Sequence, residues 1–131
     1  MYALPALVIC LGIAVYIWTI VSVSRARGKY GISAPATTGN PDFERIFRAQ
    51  QNTLEHLVMF VPCMLLFSQY ASPLWGAGIG LIWVASRVWY AVGYTAPTGR
   101  ERALGFGISF AAIGVLLVGA LIGIVVSLSR G

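Results

Sequence analysis

The 131-residue chain is 58% hydrophobic and 10% charged, with four acidic residues, nine basic ones and a net charge of +5. A soluble domain carries about a quarter charged residues, so this composition excludes a water-soluble globular fold. The positive balance needs no nucleic acid to explain it, because basic residues both orient a membrane bundle and meet anionic headgroups.

A bilayer-spanning helix takes about 20 mostly apolar residues. Four such runs are expected as spans: residues 4–24, 53–70, 74–94 and 104–128. The first lacks a basic n-region and is as long as a full span, so it reads as a mature helix and not as a signal peptide. RARGKYGISAPATTGNPD, residues 25–42, mixes glycines, prolines and hydroxyls and reads as a surface loop. Asn40, Pro41 and Asp42 supply an N-cap, a proline at the first helical position and an acid at the positive dipole end. The second helix therefore starts near Pro41, ahead of the hydrocarbon, and carries Arg45 and Arg48 through the headgroup layer. Ala71, Ser72 and Pro73 make a tight uncharged connection, and TAPTGRER a short polar one. The expected fold is an all-α integral membrane four-helix bundle, a single domain over residues 1–131, with no soluble domain.

Arg25, Arg27, Lys29, Arg45 and Arg48 cluster at the first connection, Arg100 and Arg102 at the third, and the second carries no charge. The positive-inside rule puts connections one and three in the cytoplasm and both termini on the far side. Cys10 and Cys63 lie inside apolar runs without metal-ligand spacing, so they read as small buried hydrophobes and no metal is expected. Gly76 with Gly80 and Gly119 with Gly123 are each four apart, the spacing that lets helix backbones approach closely in lipid.

FERIFRAQQNTLEHLVMF, residues 43–60, begins charged and ends apolar. At about 100° per residue, Arg48, Asn52 and Glu55 fall within roughly 60° of one another on the second helix. Arg87, Tyr90 and Tyr94 share a face of the third in the same way. The second helix leaves the cytoplasm and the third returns to it, so the two stripes meet at one depth. A charge well inside the bilayer costs about 2.5 to 3.5 kcal/mol, so such residues face the bundle interior, pair together or mark a site. An ion-paired staple of Arg48, Glu55 and Arg87 is the bland reading. Against it, Arg48, Arg87, Arg100 and Arg102 outnumber Glu55 and Glu101, which leaves a positive pocket for an anionic ligand. Arginine forks hold carboxylates, Glu55 suits an ammonium, and Asn52 and Gln50 suit peptide groups. That describes a small zwitterionic, net-anionic peptide such as glutathione.

TTGNPDFERIFRAQQNTLEH, residues 37–56, followed by ASRVWYAVGY, residues 85–94, resembles the family of membrane-associated proteins in eicosanoid and glutathione metabolism (MAPEG), in its microsomal glutathione transferase and leukotriene-C synthase branch. The likeness extends over nearly the whole chain. It implies a homotrimer with glutathione held between neighbouring subunits at the cytoplasmic leaflet. On the matching positions, Arg48, Asn52 and Glu55 come from one subunit with Gln50 beside them, although the helical wheel turns Gln50 away. Arg87, Tyr90 and Tyr94 come from the adjacent subunit, and Arg27 sits where the family has an arginine at the end of helix one. His56 replaces a tyrosine of the leukotriene-C synthase pattern beside the cofactor. The position of the family's thiol-activating arginine is Glu101 here, flanked by Arg100 and Arg102, one of which takes that catalytic role. Trp83 and Trp89 could wall an apolar cleft, although interfacial anchoring or packing is their plainer reading.

The implied activity is that of a membrane glutathione transferase and peroxidase, a detoxification enzyme using a glutathione thiolate on lipophilic electrophiles or lipid hydroperoxides. The alternatives are a non-catalytic lipid-presenting protein like the five-lipoxygenase activating protein, or a prostaglandin E synthase-like isomerase. A small multidrug-type exporter is disfavoured, because residues 4–24 hold no carboxylate for proton coupling. The compact chain without a retention signal reads as a bacterial inner-membrane protein.

Overall fold

The computed structural model describes residues 2–95 and 100–131, with Tyr94, Thr95, Arg100 and Glu101 described as backbone alone. Four helices follow one another: α1 (Ala3–Tyr30), α2 (Pro41–Tyr70), α3 (Pro73–Thr95) and α4 (Arg100–Arg130). The described residues contain no strand, so the chain is all-α.

α1 continues past the end of its apolar run, and the stretch read as a loop from residue 25 is helical to Tyr30. At about 1.5 Å per residue its 28 residues reach roughly 42 Å, longer than a 30 Å hydrocarbon core. The extra turns carry Arg27 and Lys29 at the negative end of the helix dipole, which favours cations. Gly31 ends the helix in a left-handed conformation, φ 68°, open to a residue without a Cβ. Its N–H and that of Ile32 donate to the Arg27 carbonyl.

α2 starts at Pro41, where the Asn40 side chain accepts from the N–H groups of Asp42 (2.9 Å) and Phe43 (3.1 Å). It ends when the N–H groups of Ala71 and Ser72 both turn back to the Phe67 carbonyl, and Ser72 Oγ then caps α3 by accepting from Trp75 N–H. The connection is too short to do anything but reverse the chain, so α2 and α3 form an antiparallel hairpin.

α2 and α3 each pack on all three other helices, whereas α1 and α4 do not touch among the described residues. In cross-section the helices form two triangles sharing the α2–α3 edge. Phe60, Met64, Trp83 and Leu116 are fully enclosed at the centre, with Val8 of α1 against them. Trp83 stacks on Phe60 at 3.9 Å between ring centroids, so it is a core residue and does not wall a cleft. The spaced glycines serve this packing inside the chain. A methyl on Gly80 would strike Met64 and Val8, one on Gly119 the Phe67 ring, and one on Gly123 the Tyr70 carbonyl.

Most remaining apolar side chains point outward, including Leu7, Ile17, Leu117 and Ile122. α1 and the Arg102–Arg130 part of α4 are long and apolar enough to cross a membrane. An apolar outer surface on such helices is what lipid or another apolar helix covers.

Candidate functional site

The charged stripe of α2 takes shape where the hairpin meets α4. Arg48 and Glu55 are exposed on one face, and Asn52 between them is half-buried. Neither Arg48 nor Glu55 forms an ion pair among the described residues, and Arg45 pairs instead with Asp42 at 2.7 Å. The staple of Arg48, Glu55 and Arg87 is therefore absent among the described residues, and the stripe keeps both signs of charge open. Gln50 is half-buried, and the helical period sets it well off the stripe.

Arg87 lies inside its own chain, wholly buried. One terminal nitrogen donates to Asn52 Oδ1 at 2.8 Å and to Thr53 Oγ1 at 2.9 Å. The other donates to Ser109 Oγ at 3.1 Å. The guanidinium carbon lies over the Tyr90 ring, 4.1 Å from its centroid, a cation–π contact. Arg87 thus ties α2, α3 and α4 of one chain together. An enclosed arginine needs acceptors, because its desolvation is otherwise unrecovered. Here neutral amide, hydroxyl and ring groups meet the two terminal nitrogens, while Nε has no hydrogen-bond partner among the described residues.

Tyr90 is buried against Ala49 and Ala91. The side chains of Tyr94 and Arg100, both expected at the site, lie outside the described residues. Arg102 is half-buried near the start of α4, the end that closes on this region.

Two expected site residues lie off the open face of the stripe. His56 is buried beneath the stripe, with Phe106 at 5.4 Å, Phe110 at 6.4 Å and Trp83 at 6.5 Å between ring centroids. It fills the junction of α2, α3 and α4 and does not share the surface of Arg48 and Glu55, because one residue past Glu55 is a turn of about 100°. Arg27 donates to the carbonyls of Ala36 (2.7 Å) and Ile32 (3.4 Å) and lies over the Phe43 ring at 5.1 Å. It therefore braces the connection between α1 and α2.

Thr53 and Ser109 are the polar partners that reading the sequence missed. Thr53 sits off the Asn52 stripe on the helical wheel, and Ser109 is a lone hydroxyl in an apolar run. The signal that could have found them is Arg87 itself, since a guanidinium in lipid calls for nearby acceptors. Between α1, α2 and α3 a cavity of about 210 Å³ opens, lined by residues that include Trp18, Ile46, Ala49 and Ala91. Cys10 and Cys63 are both free; Cys63 is buried as expected, whereas Cys10 is exposed on the outward face of α1.

The model of the MAPEG family matches residues 5–122. An uncharacterized protein of Synechocystis is 43% identical over 120 residues, 92% of this chain and 87% of that protein. Microsomal glutathione S-transferase 2 of Bos taurus is 36% identical over 104 residues, 79% of this chain and 70% of the relative. Leukotriene C4 synthase of Cavia porcellus is 34% identical over 122 residues, 87% of this chain and 81% of the relative. With the apolar helices α1 and α4, these matches mark a membrane protein, and the chain belongs to the MAPEG family.

Proposed function

We propose that the chain is a membrane glutathione transferase, with glutathione as co-substrate and no metal. Its acceptors are lipophilic electrophiles or lipid hydroperoxides. The observation that carries this reading is the open stripe of α2, where Arg48 and Glu55 present opposite charges with Asn52 between them. Glutathione has two carboxylates and one ammonium. Arg48 takes a carboxylate as a charge-assisted fork, Glu55 takes the ammonium, and Asn52 takes a polar group between them. Kinship with proteins named as glutathione transferase and leukotriene C4 synthase supports this choice of thiol.

The chemistry belongs to the thiolate. A free thiol has a pKa of about 8.5, so only a few per cent is ionised at neutral pH, and a nearby guanidinium enlarges that fraction. Arg100 or Arg102 fills that role by its place at the start of α4. The thiol proton leaves to solvent, and the sulfur pair attacks the electrophilic carbon. A C–S bond forms as the bond to the leaving group, or one C–O bond of an epoxide, breaks. With a hydroperoxide the sulfur attacks the terminal oxygen and releases the alcohol. A second glutathione then reduces the sulfenic acid to disulfide and water.

The assembly that fits is a homotrimer in a bacterial inner membrane, with connections one and three and the site on the cytoplasmic side. Arg48 and Glu55 open outward from one chain, so a neighbouring copy can close the site over the ligand.

The test is a thiolate difference spectrum in the ultraviolet on purified protein titrated with glutathione, for wild type, Arg100→Ala and Arg102→Ala. A saturable signal lost in one variant supports thiol activation and names its arginine. Saturable binding without a thiolate band favours a binding or isomerase role, and no binding removes the transferase reading.

A further inference from the structure

We propose that Arg87, with Thr53 and Ser109, is a positioning hub that fixes Asn52 as a hydrogen-bond donor toward the ligand. The proposal rests on the reading of the α2 stripe as the glutathione site. It names three residues that act on that site through a fourth.

A guanidinium has five N–H donors and no acceptor. The group of Asn52 that meets it must therefore be the carbonyl oxygen, and the contact runs from Arg87 to Asn52 Oδ1 at 2.8 Å. The chemistry of the partner fixes the amide orientation, which is otherwise ambiguous for an asparagine. With Oδ1 turned inward, the amide nitrogen and its two N–H groups face the other way, on the stripe shared with Arg48 and Glu55.

The hub holds this orientation because its hydroxyls are committed as well. Thr53 Oγ1 donates to the Ala49 carbonyl at 2.8 Å, and Ser109 Oγ donates to the Phe106 carbonyl at 3.0 Å. Each hydroxyl has one proton, so what remains toward Arg87 is a lone pair. The protons of the cluster run one way, from the guanidinium into hydroxyls whose own protons run into backbone. Thr53, Arg87 and Ser109 are each wholly buried, so water does not compete for these bonds. The cation–π contact with the Tyr90 ring adds to the hold on the guanidinium. Flipping the Asn52 amide would set N–H against N–H in a dry interior.

The stripe then reads as donor, donor, acceptor: the Arg48 guanidinium, the Asn52 amide N–H groups and the Glu55 carboxylate. A ligand acceptor, carboxylate or peptide carbonyl, is placed toward Arg48 and Asn52, and its ammonium toward Glu55. Arg87 selects ligand polarity without touching the ligand.

The test is a cycle of glutathione dissociation constants on the solubilised full-length protein, for wild type, Ser109→Ala, Asn52→Ala and the double variant. Ser109 lies on α4 and reaches Asn52 through Arg87. Its loss is expected to weaken binding about three- to tenfold, and the effect should vanish when residue 52 is alanine. An equal effect of Ser109→Ala in both backgrounds, or none with Asn52 present, overturns the hub. If Ser109→Ala does not fold, the isosteric Thr53→Val enters the same cycle, and Thr53→Ser should keep wild-type affinity. Asn52→Asp supplies the second arm. It still offers Arg87 an acceptor, so thermal stability should hold, but it shows the ligand an oxygen, so affinity should fall at least about tenfold. Wild-type affinity in Asn52→Asp counts against the hub. Absence of glutathione binding by the wild type refutes the functional reading, separately from the cycle.

Discussion

Arg48 and Glu55 stand seven residues apart on α2, one helical face, with no intramolecular counter-charge among the described residues. Were they a structural pair, removing either would unsettle the fold, and as ligand groups their removal should leave it alone. Arg48→Ala and Glu55→Gln are each expected to raise the glutathione dissociation constant about tenfold or more, with melting temperature unchanged, because charge-assisted bonds carry about 1.5 to 3 kcal/mol. Titration calorimetry beside a thermal melt checks both. His56 gives the opposite pattern. It is enclosed by Trp83, Phe106 and Phe110, and its Nδ1 lacks a partner. His56→Phe should therefore leave glutathione affinity within about twofold and keep or raise the melting temperature, since an unsatisfied buried nitrogen is replaced by a ring of similar shape. The charged stripe was legible in the sequence because a 3.6-residue period requires no tertiary knowledge. The inward turn of His56 and the loop-bracing role of Arg27 were not, because both depend on what the neighbouring elements place opposite them.

At the scale of elements, the glycines divide into those that meet a neighbour and those that do not. A Cβ on Gly105 would lie 2.7 Å from the Tyr90 backbone, which makes this the place where α3 and α4 run backbone against backbone. Gly105→Ala must push the two helices apart and carry Tyr90 with it. The expected cost is about 1 to 3 kcal/mol, as for an overpacked core, together with weaker glutathione binding. Gly114 faces open space, so Gly114→Ala should leave stability unchanged or raise it by up to about 1 kcal/mol through helix propensity. Thermal melts of the two variants side by side are the measurement. The four helices were readable from apolar runs, and the start of α2 from its capping residues. The end of α1 was not, because glycine and basic residues in RARGKYG look like a loop until the left-handed Gly31 is seen to close the helix. The spacing of Gly119 and Gly123 marked close packing, but not that their partners are Phe67 and Tyr70 of the same chain.

For the whole molecule, the open charged stripe of α2 and the apolar outer faces lead to a prediction about assembly. In mild detergent the protein should run as a trimer in native mass spectrometry, and detergents that split it to monomers should abolish glutathione binding. Monomers that bind as tightly as the assembly would rule out a shared site. The sequence carried this level only through resemblance, because a single chain's pattern says which faces are apolar and not which of them meet.

The two-triangle arrangement has a consequence for how the chain is put together. α2, α3 and α4 contact one another mutually, while α1 leans on the shared edge and never meets α4 among the described residues. The first helix is thus an added layer joined by residues 31–40, a segment that Arg27 fastens from the α1 side. A chain severed within that segment keeps the whole Arg87 cluster in its larger fragment. Two separately expressed pieces, 1–35 and 36–131, are therefore expected to recombine in the membrane as complementing fragments.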